Sequence, residues 1–198
     1  DIDAPRMYKA KSYIISGRDT LDVLTDKFGI RDIRVTADSG LFLNGRNIRI
    51  KGVCCHQDHA GIGTALPDYM QYYRISLLKE MGANAYRASH NPPTPELLDA
   101  CDNLGMLVLD EVRTLNSSSE YMSQLEFLVK RDRNHPSVFM WSIGNEEESL
   151  QTKEEGRRIA LSMMRRIRAL DPSRTFTYGA NIGNVKNGVN SVIPVRGF

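Results

Sequence analysis

Apolar positions change their spacing near residue 53. Before it they fall in short runs, 7–15, 21–28, 30–37, 41–43 and 48–53, punctuated by Ser16-Gly17, Lys27-Phe28-Gly29, Asp38-Ser39-Gly40 and Asn44-Gly45. The runs are β-branched and show no helical period, so they predict antiparallel strands. Asn44-Gly45 between two apolar runs predicts a hairpin, because both central residues of its tight turn need positive φ.

Beyond residue 53 the pattern alternates between strand and helix. Met70, Tyr73, Leu77 and Met81 recur at helical spacing and Gly82 stops them, which predicts a helix over 69–81. A strand follows over 83–89. Thr94 is placed as an N-cap and Pro95 at the first helical position, with Leu97, Leu98, Cys101 and Leu104 on one face before Gly105. Residues 106–110 form a continuous apolar strand, as buried parallel strands do. Ser119 can cap a helix over 120–130 with Tyr121, Leu125 and Leu128 inward; a strand over 138–142 comes next. Thr152 and Glu155 have capping-box spacing ahead of Ile159, Met163, Ile167 and Leu170. Two more strands, 175–178 and 191–195, are joined by a loop or very short helix over 179–190. Six strands alternating with helices predict an α/β fold with a parallel sheet and right-handed crossovers, either doubly wound or a barrel.

Composition narrows the function classes. The chain has 198 residues, 41% hydrophobic and 25% charged, which is ordinary for a globular protein. A formal net charge of +2 gives no electrostatic footprint for nucleic acid or an anionic membrane. No apolar run approaches the roughly 18 residues a transmembrane helix needs. Asp1-Ile2-Asp3-Ala4-Pro5 does not read as a signal peptide, so a leader has been removed or the chain starts inside a longer one. Cys54, Cys55 and Cys101 are odd in number and two are adjacent, so they predict no disulfide framework. They leave a cytoplasmic and a periplasmic or secreted setting equally open.

Chemistry collects where the predicted parallel strands end. His56-Gln57-Asp58-His59 follows the first, Arg87-Ala88-Ser89-His90-Asn91 the second, Asp110-Glu111 the third, and Asn145-Glu146-Glu147 the fourth. A (β/α)₈ barrel gathers such ends around one axis, whereas a doubly wound sheet would carry a Gly-rich phosphate loop. Gly61-Ile62-Gly63 lacks that loop's third glycine, so the barrel is the better reading. A metal site built from His56, Asp58, His59 and His90 is a weaker alternative. The spacing of three sends His56 and His59 to opposite sides of an ideal strand, and no bridging Lys and no later His at a strand end accompanies them. Arg157, Arg158, Arg165, Arg166 and Arg168, interleaved with Glu154 and Glu155, read as the wet face of a helix.

Several ordered motifs resemble one family. They are Phe42-Leu43-Asn44-Gly45, then 51–59 from Lys51 to His59, 84–92 from Asn84 to Pro92, and 102–111 from Asp102 to Glu111. The most specific is Arg131-Asp132-Arg133-Asn134-His135-Pro136-Ser137-Val138 leading into Trp141-Ser142-Ile143-Gly144-Asn145-Glu146. Together they resemble the catalytic domain of glycoside hydrolase family 2, which contains β-galactosidases, β-glucuronidases and β-mannosidases. The resemblance implies an incomplete TIM barrel over 45–198, preceded over 1–44 by the last strands of an immunoglobulin-like β-sandwich.

The resemblance also implies roles. Glu146 matches the general acid/base, and Asn145 the residue that hydrogen-bonds the sugar 2-hydroxyl. His59 and His90 match positions that bind sugar hydroxyls, and Arg87 one beside the nucleophile. Glu147 and Glu148 are the first carboxylates of the following loop, able to help keep Glu146 protonated by like charge. Other readings stand beside these: a structural ion pair of Arg87 with Asp110, a structural His56, a turn-fixing His135 and a core Trp141. Some family members bind Mg²⁺ just beyond the third strand, but Thr114-Leu115-Asn116-Ser117 lacks ligand chemistry there, so neither a metal nor any other cofactor is expected. The family nucleophile, a second Glu ending the seventh strand, is expected beyond Phe198. The implied activity is that of a retaining, exo-acting β-galactosidase-like enzyme acting on a β-linked oligosaccharide or glycoside. The alternatives are β-glucuronidase or β-mannosidase specificity, or a non-catalytic carbohydrate-binding or structural fragment. Partners expected are the glycoside substrate, with no nucleic acid and no membrane; open sheet edges leave a homo-oligomer open.

Overall fold

A computed structural model describes residues 1–197. Its largest sheet has six parallel strands in sequential order: β6 (Gly52–Cys55), β7 (Ala85–Ala88), β8 (Leu107–Glu111), β9 (Val138–Asn145), β10 (Thr175–Gly179) and β11 (Val195–Gly197). Helices α1 (Asp68–Glu80), α2 (Pro95–Leu104), α3 (Ser119–Asp132) and α4 (Glu154–Leu170) make the crossovers from β6 through to β10. The last crossover carries only the single-turn helix Val189–Ser191. This is the β–α alternation read from the sequence.

The local signals account for most element ends. Thr94 Oγ1 accepts the Leu97 N–H, Pro95 opens α2, and Gly105 closes it with a left-handed φ of 71°. The other two expected caps differ. The residue before α3 is Ser118, with no side-chain capping bond. Helix α4 starts at Glu154 behind Lys153, so Thr152 and Glu155 form no capping box. The segment before α4 is instead occupied by turns that tie Leu150 and Gln151 to the Glu147 carbonyl.

The core lies between the sheet and its helices. Val108, Trp141, Ile143, Phe176 and Tyr178 on the strands meet Leu98, Cys101, Leu125, Val129, Met163 and Ile167 on the helices. Helix α1 departs from the expected face. It buries Gln71 and Ile75, while Tyr73, Leu77 and Met81 are exposed in a row with Tyr69. Helix α1 follows β6, an edge strand of the six-stranded sheet.

The first 51 residues form two smaller sheets. Strands β1 (Tyr8–Ser16) and β2 (Asp19–Phe28) make an antiparallel ribbon exposed on nearly all positions. Strands β3 (Ile33–Thr36), β4 (Gly40–Leu43) and β5 (Arg46–Ile48) make a second antiparallel sheet, with the Asn44-Gly45 turn between β4 and β5, both residues at positive φ. Leu41 and Leu43 pack with Ala85, Leu107, Phe139 and Met140 from the parallel strands. The expected run 48–53 is therefore two strands of different sheets, and the expected division at 44/45 falls inside the β4–β5 hairpin. Arg31 fastens the approach, donating to the carbonyls of Pro136 at 2.6 Å and Val138 at 2.8 Å. Burial pulls its guanidinium pKa down to about 10, with the Arg174 charge adding to the effect.

Candidate active site

The site is built at the C-terminal ends of β7, β8 and β9. In β8 alternation sends Asp110 outward and Glu111 inward, and Glu111 is fully buried. Its Oε2 accepts from Arg87 Nε at 3.0 Å, Arg87 Nη2 at 2.7 Å and Ser142 Oγ at 2.7 Å. Its Oε1 lies 2.7 Å from His90 Nδ1. Arg87 Nη2 also donates to Asn145 Oδ1 at 2.7 Å. Burial alone would lower the Arg87 guanidinium, but Glu111 opposite carries its pKa above the ordinary arginine value.

The end of β9 aims the next two residues in different directions. Gly144 has a φ of 147° and Glu146 a φ of 52°, conformations that turn the chain sharply around buried Asn145. The Arg113 guanidinium grips the Asn145 carbonyl at 2.6 Å. The Glu146 N–H donates to the Gly179 carbonyl at 2.9 Å, and the Glu147 N–H to the Tyr178 hydroxyl at 2.7 Å. Burial raises the Tyr178 hydroxyl to about 12, so it stays protonated in that bond at neutral pH. Gly179 has to lack a side chain for reasons of space. A Cβ there would stand 2.7 Å from both Arg87 Nη2 and Asn145 Oδ1. Glu146 thus projects, exposed, from a backbone held on both sides.

The structure brings together three of the named binding residues, Asn145, His90 and Arg87, and places Glu146 next to them in the chain. His59 sits apart, in the turn after β6, where its Nδ1 faces the Ala60 carbonyl at 3.0 Å. Among the described residues no hydrogen bond joins it to the Glu111 group. His56, read as structural, instead lies edge-on to His90 with ring centroids 5.4 Å apart. Asp110 makes no ion pair with Arg87; that partner is Glu111, because adjacent strand residues face opposite sides. Glu147 faces Arg113 at 3.8 Å and Glu148 accepts from Asn181 at 3.1 Å. Trp141 is core, its indole N–H donating to Asp171 at 2.9 Å. His135 holds the turn into β9 through Asp102, which also accepts the Ser137 N–H.

Ser142, Arg113 and Gly179 are parts that the sequence alone does not place in the site, and Glu111 stands at a strand end there with no role given to it. The alternation of β8 was a usable signal for Glu111, since apolar Leu109 precedes it on the same face. Asp99, Asp102 and His135 have ligand atoms within 4.8 Å of one another and precede β8 and β9, whereas Glu111 and Glu146 lie at the C-terminal ends of those strands. Lys27 already sits 3.2 Å from Asp99, and His135 and Ser137 occupy Asp102, so the cluster works as a clasp.

Comparisons with known proteins agree with this fold. A β-galactosidase of Bacteroides ovatus is 34% identical across the whole chain, which spans 28% of that protein. A putative β-glucuronidase of Formosa agariphila is 36% identical over 99% of the chain and 20% of its own length. A crystal structure of a glycosyl hydrolase family 2 member from Bacteroides cellulosilyticus superposes with a TM-score of 0.86 and 37% identity, covering 92% of this chain and 25% of that one. The chain therefore spans about a quarter of the length of the relatives it matches. The family model for the TIM barrel domain of glycosyl hydrolases family 2 matches residues 33–120 and 114–195. The chain belongs to glycosyl hydrolase family 2 and carries part of that family's TIM-barrel domain.

Proposed function

We propose that the protein carrying this chain is a retaining, exo-acting β-glycosidase with Glu146 as its general acid/base. The observation that carries the reading is the Glu111–Arg87–Asn145 chain of hydrogen bonds, which fixes Asn145 directly beneath the backbone that presents Glu146. Charge-assisted bonds of this kind hold a neutral amide in one orientation, ready to meet a sugar hydroxyl. Its hydrogen bond to the 2-hydroxyl strengthens as oxocarbenium character develops, while Glu146 gives its proton to the leaving oxygen. The nucleophile is a second carboxylate supplied from outside these residues, about 5–5.5 Å from Glu146. His90, oriented by Glu111, binds a further hydroxyl, and His59 reaches substrate from the β6 turn. No cofactor takes part.

A β-galactoside is the first substrate we assign. A β-glucuronide is the second, favoured by relatives that carry that name. Residues 1–32 close a preceding immunoglobulin-like sandwich, and the barrel unit begins near Ile33, where β3–β5 cover the sheet. The test is hydrolysis of nitrophenyl β-galactoside and β-glucuronide by the complete protein, with the product anomer followed by NMR. Release of a β-anomer from one of them is expected. No turnover of either substrate, or an inverted product, rejects the reading.

A further inference from the structure

Asp110 is the one carboxylate of the β8 end that the reaction does not use. It is fully buried, and neither of its oxygens receives a hydrogen bond from an N–H or hydroxyl donor among the described residues. A bare carboxylate in such a place would be costly. What faces it is a second buried acid, Asp132, the last residue of α3 and within hydrogen-bonding reach. Arg131, beside Asp132, and Arg174, from the segment before β10, are the charged groups around the two. Both Asp132 oxygens are taken by Arg131, at 2.6 Å to Nε and 2.7 Å to Nη2. Two carboxyl groups can be hydrogen-bonded to each other only when one of them carries a proton.

The connections of Arg131 give this pair a use. Its Nη2 also donates to the Pro93 carbonyl at 2.7 Å. Pro93 lies three residues after His90, on the loop that leads from β7 into α2. His90 in turn meets Glu111, the neighbour of Asp110 on β8. A closed circuit results: β8 grips His90 from inside the sheet through Glu111, and grips the loop behind His90 from outside through Asp110, Asp132 and Arg131.

We propose that Asp110 is held protonated and donates its proton to Asp132, and that this acid–acid bond is a positioning device that fixes the His90 loop against β8. Burial and the Asp132 charge push Asp110 well above the ordinary carboxyl range, against the opposing pull of Arg131 and Arg174. Arg131, held by Asp132, is raised above its ordinary value despite burial. The effect on catalysis rests on the glycosidase reading; the proton and the brace do not.

The sign of the pH dependence follows. The folded state binds one more proton than the unfolded chain at neutral pH, so this pair's contribution weakens as pH rises. In the complete protein, the Tm should decline as pH rises above the ordinary carboxyl range, and Asp110→Asn should flatten that slope while keeping the Tm at pH 7. An amide at 110 can donate to Asp132 without titrating. Difference infrared spectra between the two should show a protonated-carboxyl carbonyl band lost in Asp110→Asn. For the positioning role, Asp110→Val removes the donor and should raise KM for a nitrophenyl β-glycoside by about tenfold, with most of that recovered in Asp110→Asn. Equal pH slopes in wild type and Asp110→Asn, or no lost carbonyl band, overturn the proton assignment. Equal KM values for the Val and Asn variants overturn the positioning role. If Asp110→Val does not fold, the infrared and pH measurements decide by themselves. A wild-type protein without turnover sinks the glycosidase reading and leaves those two measurements intact.

Discussion

Glu111 and Arg87 hold each other across two neighbouring strands, through two guanidinium hydrogen bonds of 3.0 and 2.7 Å to one buried carboxylate oxygen. Each is the other's main compensation for leaving water. Glu111 also receives Ser142, and Arg87 passes the connection on to Asn145. The pair is the hub from which the candidate site is organised.

Removing one half should therefore be expensive. Glu111→Ala leaves Arg87 without its counter-charge and should cost about 3–5 kcal/mol, the usual penalty for breaking a buried pair. The measurement is the denaturant midpoint of the complete protein. Replacing both with apolar residues, Glu111→Leu with Arg87→Met, should restore much of the stability and none of the activity. A double variant no more stable than Glu111→Ala would mean that the pair is not the cause.

Gly179 gives a test that leaves every charged group in place. In Gly179→Ala the new Cβ would stand 2.7 Å from both Arg87 Nη2 and Asn145 Oδ1, so one or both of these groups has to shift. Displacements of this size near a reacting centre cost up to about 10²-fold in rate. We expect kcat/KM for aryl glycosides to fall by at least about tenfold, with a Tm shift of only a few degrees. Unchanged kinetics would detach the Arg87–Asn145 bond from function.

Asp171 sets an acid limit to stability. Although burial alone would raise its carboxyl, the Ser173 hydrogen bonds and the Arg174 guanidinium bring it down to about 2 from an ordinary value of 3.8. A depressed pKa means stability that is full above pH 3.8 and is lost as pH falls through about 2. The contribution is about 2 kcal/mol. Asp171→Asn should lower the Tm at neutral pH and flatten the acid limb between about pH 4 and 2. An acid limb as steep in Asp171→Asn as in wild type would assign it to other carboxylates.

How much of this was legible in the sequence depends on what each signal reports. Strand–helix alternation, the Thr94–Pro95 helix start and the Gly105 stop are local, and they reappear in the structure. The α1 face was misread: Tyr73 and Leu77 have core spacing yet stand exposed, and exposure is a fact about neighbours rather than about α1. The Thr152–Glu155 box failed for a similar reason: the loop before α4 is committed to turns at Glu147. Of the residues that motifs carry, Asn145, Arg87 and His90 come together around Glu111 in the structure, with Glu146 following Asn145 in the chain. Glu111 and Asp110 exchanged roles, because the sequence places both at the strand end and only the pleat says which one points inward. Arg113 and Gly179 act through a backbone carbonyl and through empty space, and neither leaves a mark in a pattern of residue types.

The central claim is that Glu146 is the proton donor, and its most direct test compares leaving groups. In the complete protein, Glu146→Ala should lose about 10²–10⁴-fold in turnover of natural glycosides, whose poor leaving groups need protonation. Activated aryl glycosides, which depart with little help, should lose much less in the glycosylation step. Equal losses on both classes of substrate would contradict the assignment of Glu146.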